Sequence, residues 1–94
     1  KNVMRKADMI LCRDVFIHLP NETILEILDK FKQSSDLLLT TTFLDCESNE
    51  GRIQEASTTY SKLNLELEPF NLDNPIVCIA EDYPHKYTCL WRLK

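Results

Sequence analysis

The chain's first patterned stretch is an almost wholly apolar run at residues 7–12, from Ala7 to Cys12, interrupted only by Asp8. A continuous apolar run of this length suits a strand buried on both faces better than one that alternates, and it predicts a central strand. Arg13 and Asp14 place charge at its carboxyl end, and Val15, Phe16, Ile17, His18 and Leu19 then predict a short turn leading into a helix. Pro20 and Asn21 mark the start of that helix. Glu22 puts negative charge in its first turn, and Ile24, Ile27, Leu28 and Phe31 recur at the i, i+3, i+4, i+7 spacing that places them on one face. Leu25 widens the apolar stripe, Glu22, Glu26, Asp29 and Lys30 line the other side, and Lys30 and Lys32 sit where the helix dipole favours positive charge. Ser34, Ser35 and Asp36 end the pattern. Residues 37–43, Leu-Leu-Leu-Thr-Thr-Thr-Phe, resume it as a second buried strand, β-branched toward its end.

Strand, helix and strand in residues 1–43 make a βαβ unit with parallel strands. In open α/β sheets ligands bind beyond the carboxyl ends of such strands. That location is shared by Arg13, Asp14 and His18 on one side and Thr41, Thr42 and Phe43 on the other. Residues 44–74 are polar and aperiodic, and a connection this long is usually functional or mobile. Within it Leu63, Asn64, Leu65, Glu66 and Leu67 alternate, as a short strand or an extended lid would. Residues 75–94 hold two further strands, at 75–80 and 87–93, joined closely enough to form an antiparallel hairpin. The fold class is α/β.

Composition narrows the function. The 94 residues contain one glycine, Gly51, so no glycine-rich loop that brings backbone amides against a phosphate lies within the chain. Eleven basic against fifteen acidic residues, a net charge of −4 with no basic cluster, argue against a nucleic-acid partner. No apolar run is long enough to span a membrane, and the first residues lack a signal peptide's apolar core, so the expected location is cytoplasmic. Cys12, Cys46, Cys78 and Cys89 lack the close pairing of a zinc site and read as reduced thiols serving as small core side chains, with a disulfide framework as the minor alternative. No metal site is expected.

The run from Ala7 to Leu19, which carries the element C-R-D-x-x-x-H-L, the amphipathic helix and the strand at residues 37–43 together resemble the fourth strand, fourth helix and fifth strand of class I S-adenosylmethionine-dependent methyltransferases. The likeness is closest to a bacterial group in which a long loop with L-N-L and P-F leads to an antiparallel pair ending in L-W. The corresponding elements are Leu63-Asn64-Leu65, Pro69-Phe70 and Leu90-Trp91. The resemblance implies a partial Rossmann-like sheet, strands 4-5-7-6 of a seven-stranded sheet. It implies S-adenosyl-L-methionine as cofactor, held chiefly by a glycine-rich loop that would lie upstream. It also implies that Cys12 and Arg13 border the donor, that Asp14 and His18 line the reaction pocket, and that Tyr60, Asn64 and Phe70 enclose a small-molecule acceptor. Where the relatives carry a W-R pair before L-N-L, this sequence has Tyr60-Ser61, so the relatives' substrate class does not transfer.

Methyl transfer from a sulfonium is an in-line displacement in which alignment and desolvation matter most. If a general base is used, His18 is the choice, because histidine exchanges its proton near neutrality, with Asp14 orienting it or the acceptor. On this reading the chain is the C-terminal half of a catalytic domain, inactive alone and prone to self-association through uncovered apolar surface. The competing reading is a small autonomous α/β binding or interaction module without catalysis.

Overall fold

The computed structural model describes residues 8–93. Its elements are strand β1 (Ile10–Cys12), a 3-10 turn at Phe16–His18, helix α1 (Asn21–Ser34) and strands β2 (Leu37–Phe43), β3 (Val77–Ala80) and β4 (Lys86–Arg92). The strands form one mixed sheet in the order β1-β2-β4-β3. β1 and β2 are parallel, with Leu11 opposite Leu39, as a βαβ connection requires. β4 runs antiparallel to both β2 and β3. The expected βαβ unit and C-terminal antiparallel pair are therefore both present. β1 is shorter than the run at residues 7–12: Asp8 and Met9 are exposed and unpaired in the sheet, and Ala7 lies outside the described residues, as does Lys94.

α1 begins after Pro20, whose extended backbone suits the cap position, and Ile24 and Leu28 are buried to 0% and 3% exposure. Ile27 and Phe31 pack against the same core. Leu25, expected to widen the stripe, is instead exposed, because it falls beyond the arc that meets the sheet. The core beneath the helix joins Leu38, Cys89 and Trp91 of the strands to Leu63 and Leu65 of the long loop. Trp91 is fully buried, and its indole N–H donates to the Asp73 carbonyl at 2.7 Å.

Residues 44–76 contain no strand, yet they are held in place at many points. Leu63 and Leu65 are fully buried, the Phe43 N–H donates to the Leu63 carbonyl, and the Leu65 N–H donates to Thr42 Oγ1. The L-N-L segment anchors the loop to the end of β2 and is neither a strand nor a lid. Two polar clamps complete the anchoring. Asn49, 2% exposed, donates to the carbonyls of Asn64 and Glu68 and accepts from the Asn64 N–H. Arg52, 5% exposed, donates to the carbonyls of Phe16, Leu19, Ser61 and Lys62 and to Asn21 Oδ1.

Among the described residues the other face of the sheet is largely open. Register aligns Leu11, Leu39, Leu90 and Val77 across all four strands, and Leu11, Val77 and the nearby Ile79 are 65%, 49% and 60% exposed. Cys78 and Cys89, directly opposite each other in the β3–β4 register with Cα atoms 4.1 Å apart, are joined by a disulfide. The expectation of four reduced thiols is thus overturned: antiparallel pairing puts two of them side by side. Cys12 and Cys46 are free.

Candidate functional site

The carboxyl end of the parallel pair gathers side chains from four segments. Directly after β1, Asp14 adopts a left-handed backbone (φ 59°), which aspartate tolerates better than most residues. This turn lets its N–H donate to Thr41 Oγ1 at 2.9 Å, which fixes the segment against β2. Lys86, at the start of β4, places its ammonium 2.8 Å from Asp14 Oδ1. Arg13 Nη2 donates to Glu81 Oε1 at 2.6 Å, and Thr88 Oγ1 donates to the other Glu81 oxygen. The Arg13 and Thr88 hydrogen bonds, with Lys86 3.9 Å away, hold the Glu81 carboxyl well below the ordinary range, at about 2. Arg13, Lys86, Asp14 and Glu81 balance one another in charge. Arg13, Glu81 and Lys86 form one wall of an open groove of about 620 Å³ whose apolar floor includes Leu11, Leu39 and Ile79.

Beside this network stand three rings. Phe43 is buried at the end of β2, while Tyr60 from the loop and Tyr83 from the β3–β4 turn are half exposed. Each pair of rings has centroids 6.3 Å apart, and the two tyrosine hydroxyls hydrogen-bond at 2.5 Å. That bond raises the Tyr60 phenol above its usual range. Ile17 and Lys86 join the three rings around a small cavity of about 90 Å³. His18 ends the 3-10 turn, with Nδ1 3.2 Å from the Thr59 carbonyl. A carbonyl can only accept, so Nδ1 carries the hydrogen and Nε2 of the neutral ring is left as an acceptor.

The sequence-derived residues divide into two groups. Arg13, Asp14 and Tyr60 come together at this end of the sheet through Glu81 and Lys86, while His18 is tied to the loop at Thr59. Cys12 lies just below, 8% exposed, with its carbonyl accepting from Thr40 Oγ1 at 2.6 Å. Burial pushes its thiol above the usual range, which disfavours a thiolate nucleophile. Asn64 and Phe70 are buried elsewhere. Asn64 donates to the Leu44 and Cys46 carbonyls and accepts from the Glu66 N–H, while Phe70 belongs to the core cluster. Sequence reading missed Glu81, Tyr83 and Lys86, which sit in and just after a turn that looks only solvent-facing, and it missed Arg52, an isolated cation in a polar stretch.

Among the described residues no group of three or more His, Cys, Asp or Glu side chains is placed to hold a metal ion. Nor is any helix among them long and apolar enough to cross a membrane. No known protein family, curated protein or solved structure matches the chain.

Proposed function

We propose that the chain is the C-terminal half of the catalytic domain of a cytoplasmic S-adenosylmethionine-dependent methyltransferase, supplying the acceptor side of the pocket for a small molecule and inactive alone. The observation that carries this reading is the convergence of Arg13, Asp14, Phe43 and Tyr60, linked through Glu81 and Lys86, at the carboxyl end of a parallel pair, where open α/β sheets bind ligands. The strand order β1-β2-β4-β3 is that of strands 4-5-7-6 in the methyltransferase sheet. The apolar face left open and the β1 edge left unpaired among the described residues suit a sheet that continues into another segment.

The residues present fit the donor only in part. The Cys12 carbonyl and the Asp14 N–H are already bonded to Thr40 and Thr41, so this chain offers a donor little beyond Arg13. The donor, when bound, supplies an electrophilic methyl group. On the acceptor side, the Tyr60, Tyr83 and Phe43 rings exclude water from one wall of the site, Asp14 is held rigidly by Thr41 and Lys86, and His18 Nε2 is able to accept the acceptor's proton.

One observation favours the autonomous module instead: the polar side chains that tie down the long loop, Asn49, Arg52 and Asn64, find their partners within the chain. Calorimetric titration separates the two. S-adenosylmethionine is expected to bind the full-length protein and not the 94-residue chain. Binding by neither leaves the module as the better reading, and tight binding by the 94-residue chain alone contradicts the division of labour proposed.

A further inference from the structure

We propose that Cys78 and Cys89 are a reversible redox latch: thiol–disulfide exchange at this pair attaches or releases β3 and the turn that follows it, and with them the Glu81 and Tyr83 side of the carboxyl-end cluster. The inference does not depend on the methyltransferase reading.

β3 is an edge strand of four residues that among the described residues pairs only with β4. Val77, Ile79 and Ala80 are exposed, and Cys78 is the only residue of the strand whose side chain is partly covered. The strand therefore has almost no apolar burial holding it, and the bridge to the fully buried Cys89 is its main side-chain tie. The backbone bonds from the Ile76 N–H to the Leu90 carbonyl and from the Glu81 N–H to the Lys86 carbonyl flank the bridge on either side. Immediately beyond β3, Glu81 meets Arg13 and Thr88, and Tyr83 meets Tyr60 and Phe43. Loosening β3 thus acts directly on the groove wall.

The two remaining cysteines do not compete for the pair. Cys12 lies in the same cross-strand row but beyond Thr40, and the Cys46 thiol donates to the Ser48 carbonyl. Since Cys89 is fully buried, Cys78, the half-buried member of the pair, is the one attacked. A dithiol attacks it, which breaks the Cys78–Cys89 bond, forms a mixed disulfide and leaves Cys89 to take up a proton. The reductant's second thiol then displaces Cys78 as a thiolate, which is protonated in turn. Two electrons and two protons pass to the protein, and the dithiol becomes a cyclic disulfide. A small-molecule disulfide reverses the change and is itself reduced to two thiols. In reducing compartments, disulfides of this kind are usually transient and redox-sensing.

The test compares the chain oxidised with glutathione disulfide against the chain reduced with dithiothreitol, by thiol titration after denaturation and by amide hydrogen exchange. The expected result is two titratable thiols rising to four. Exchange at the Ile76 and Glu81 amides should quicken by about tenfold or more on reduction while α1 stays protected, and re-oxidation should reverse both changes. Cys78→Ser is expected to show the fast rates in either condition. Four thiols after the oxidising treatment, unchanged exchange at Ile76 and Glu81, or an equal loss of protection in α1 would each overturn the latch. If the serine variant does not fold, the two states of the unmodified chain still decide.

Discussion

Arg13 and Glu81 follow strands at opposite edges of the sheet, yet their side chains meet at 2.6 Å beside Thr88 of β4, one of the two strands between them. Glu81 is therefore a sensitive reporter of whether the carboxyl-end cluster is assembled. Its folded pKa, about 2, is depressed below the ordinary glutamate value. A depressed carboxylate contributes stability that is fully present above the unfolded pKa and is lost as pH falls through the folded one. Stability should accordingly decline from about pH 4.5 down toward about pH 2. Glu81→Gln should flatten that part of the curve, as followed by urea unfolding at a series of pH values. A direct check is the Glu81 carboxyl chemical shift, which should stay that of a carboxylate at pH 3.

How much of this was legible in the sequence depends on the range of the interaction. α1 and β2 are encoded locally, one by apolar residues at helical spacing and the other by a run of Leu and Thr ending in Phe43. The parallel pairing of β1 with β2 follows from the helix between them. By contrast, nothing near Arg13 announces Glu81. Their meeting needs β4 to insert between β2 and β3 and the turn to fold back over Thr88. The disulfide likewise appears only once register sets Cys78 opposite Cys89. Asn64 looks like a loop residue free to bind a ligand, and only the fold shows its amide spent on the Leu44 and Cys46 carbonyls.

Arg52 is the largest single tie between the long loop and the 3-10 turn. Its guanidinium is nearly water-free, burial lowers its pKa, and it reaches several carbonyls at once. Arg52→Ala would leave those acceptors unsatisfied and is expected to cost about 3 kcal/mol in denaturant unfolding. Arg52→Lys should recover only part of the loss, because one ammonium cannot reproduce the planar fork.

The open face makes its own prediction. Leu11 and Val77 lie in an apolar row that nothing among the described residues covers, so the isolated chain is expected to self-associate as concentration rises, by light scattering. Leu11→Asp and Val77→Lys should suppress this while changing unfolding free energy by no more than about 0.5 kcal/mol, as is usual for exposed positions. A compact monomer at high concentration would show that the face is tolerated in water.

His18 offers the sharpest test of the chemistry. The Thr59 carbonyl fixes its tautomer by taking the Nδ1 hydrogen, which leaves the lone pair on Nε2. If that lone pair accepts the acceptor's proton, His18→Ala in the full-length protein should lower kcat by about 100-fold or more. Ring loss also removes the tie to the neighbouring loop, so the informative companion is His18→Asn, whose amide can still donate to the Thr59 carbonyl but carries no basic nitrogen. Equal losses in both variants support proton acceptance. Recovery of turnover in His18→Asn makes His18 a positioning residue, and wild-type turnover in His18→Ala removes it from the reaction altogether.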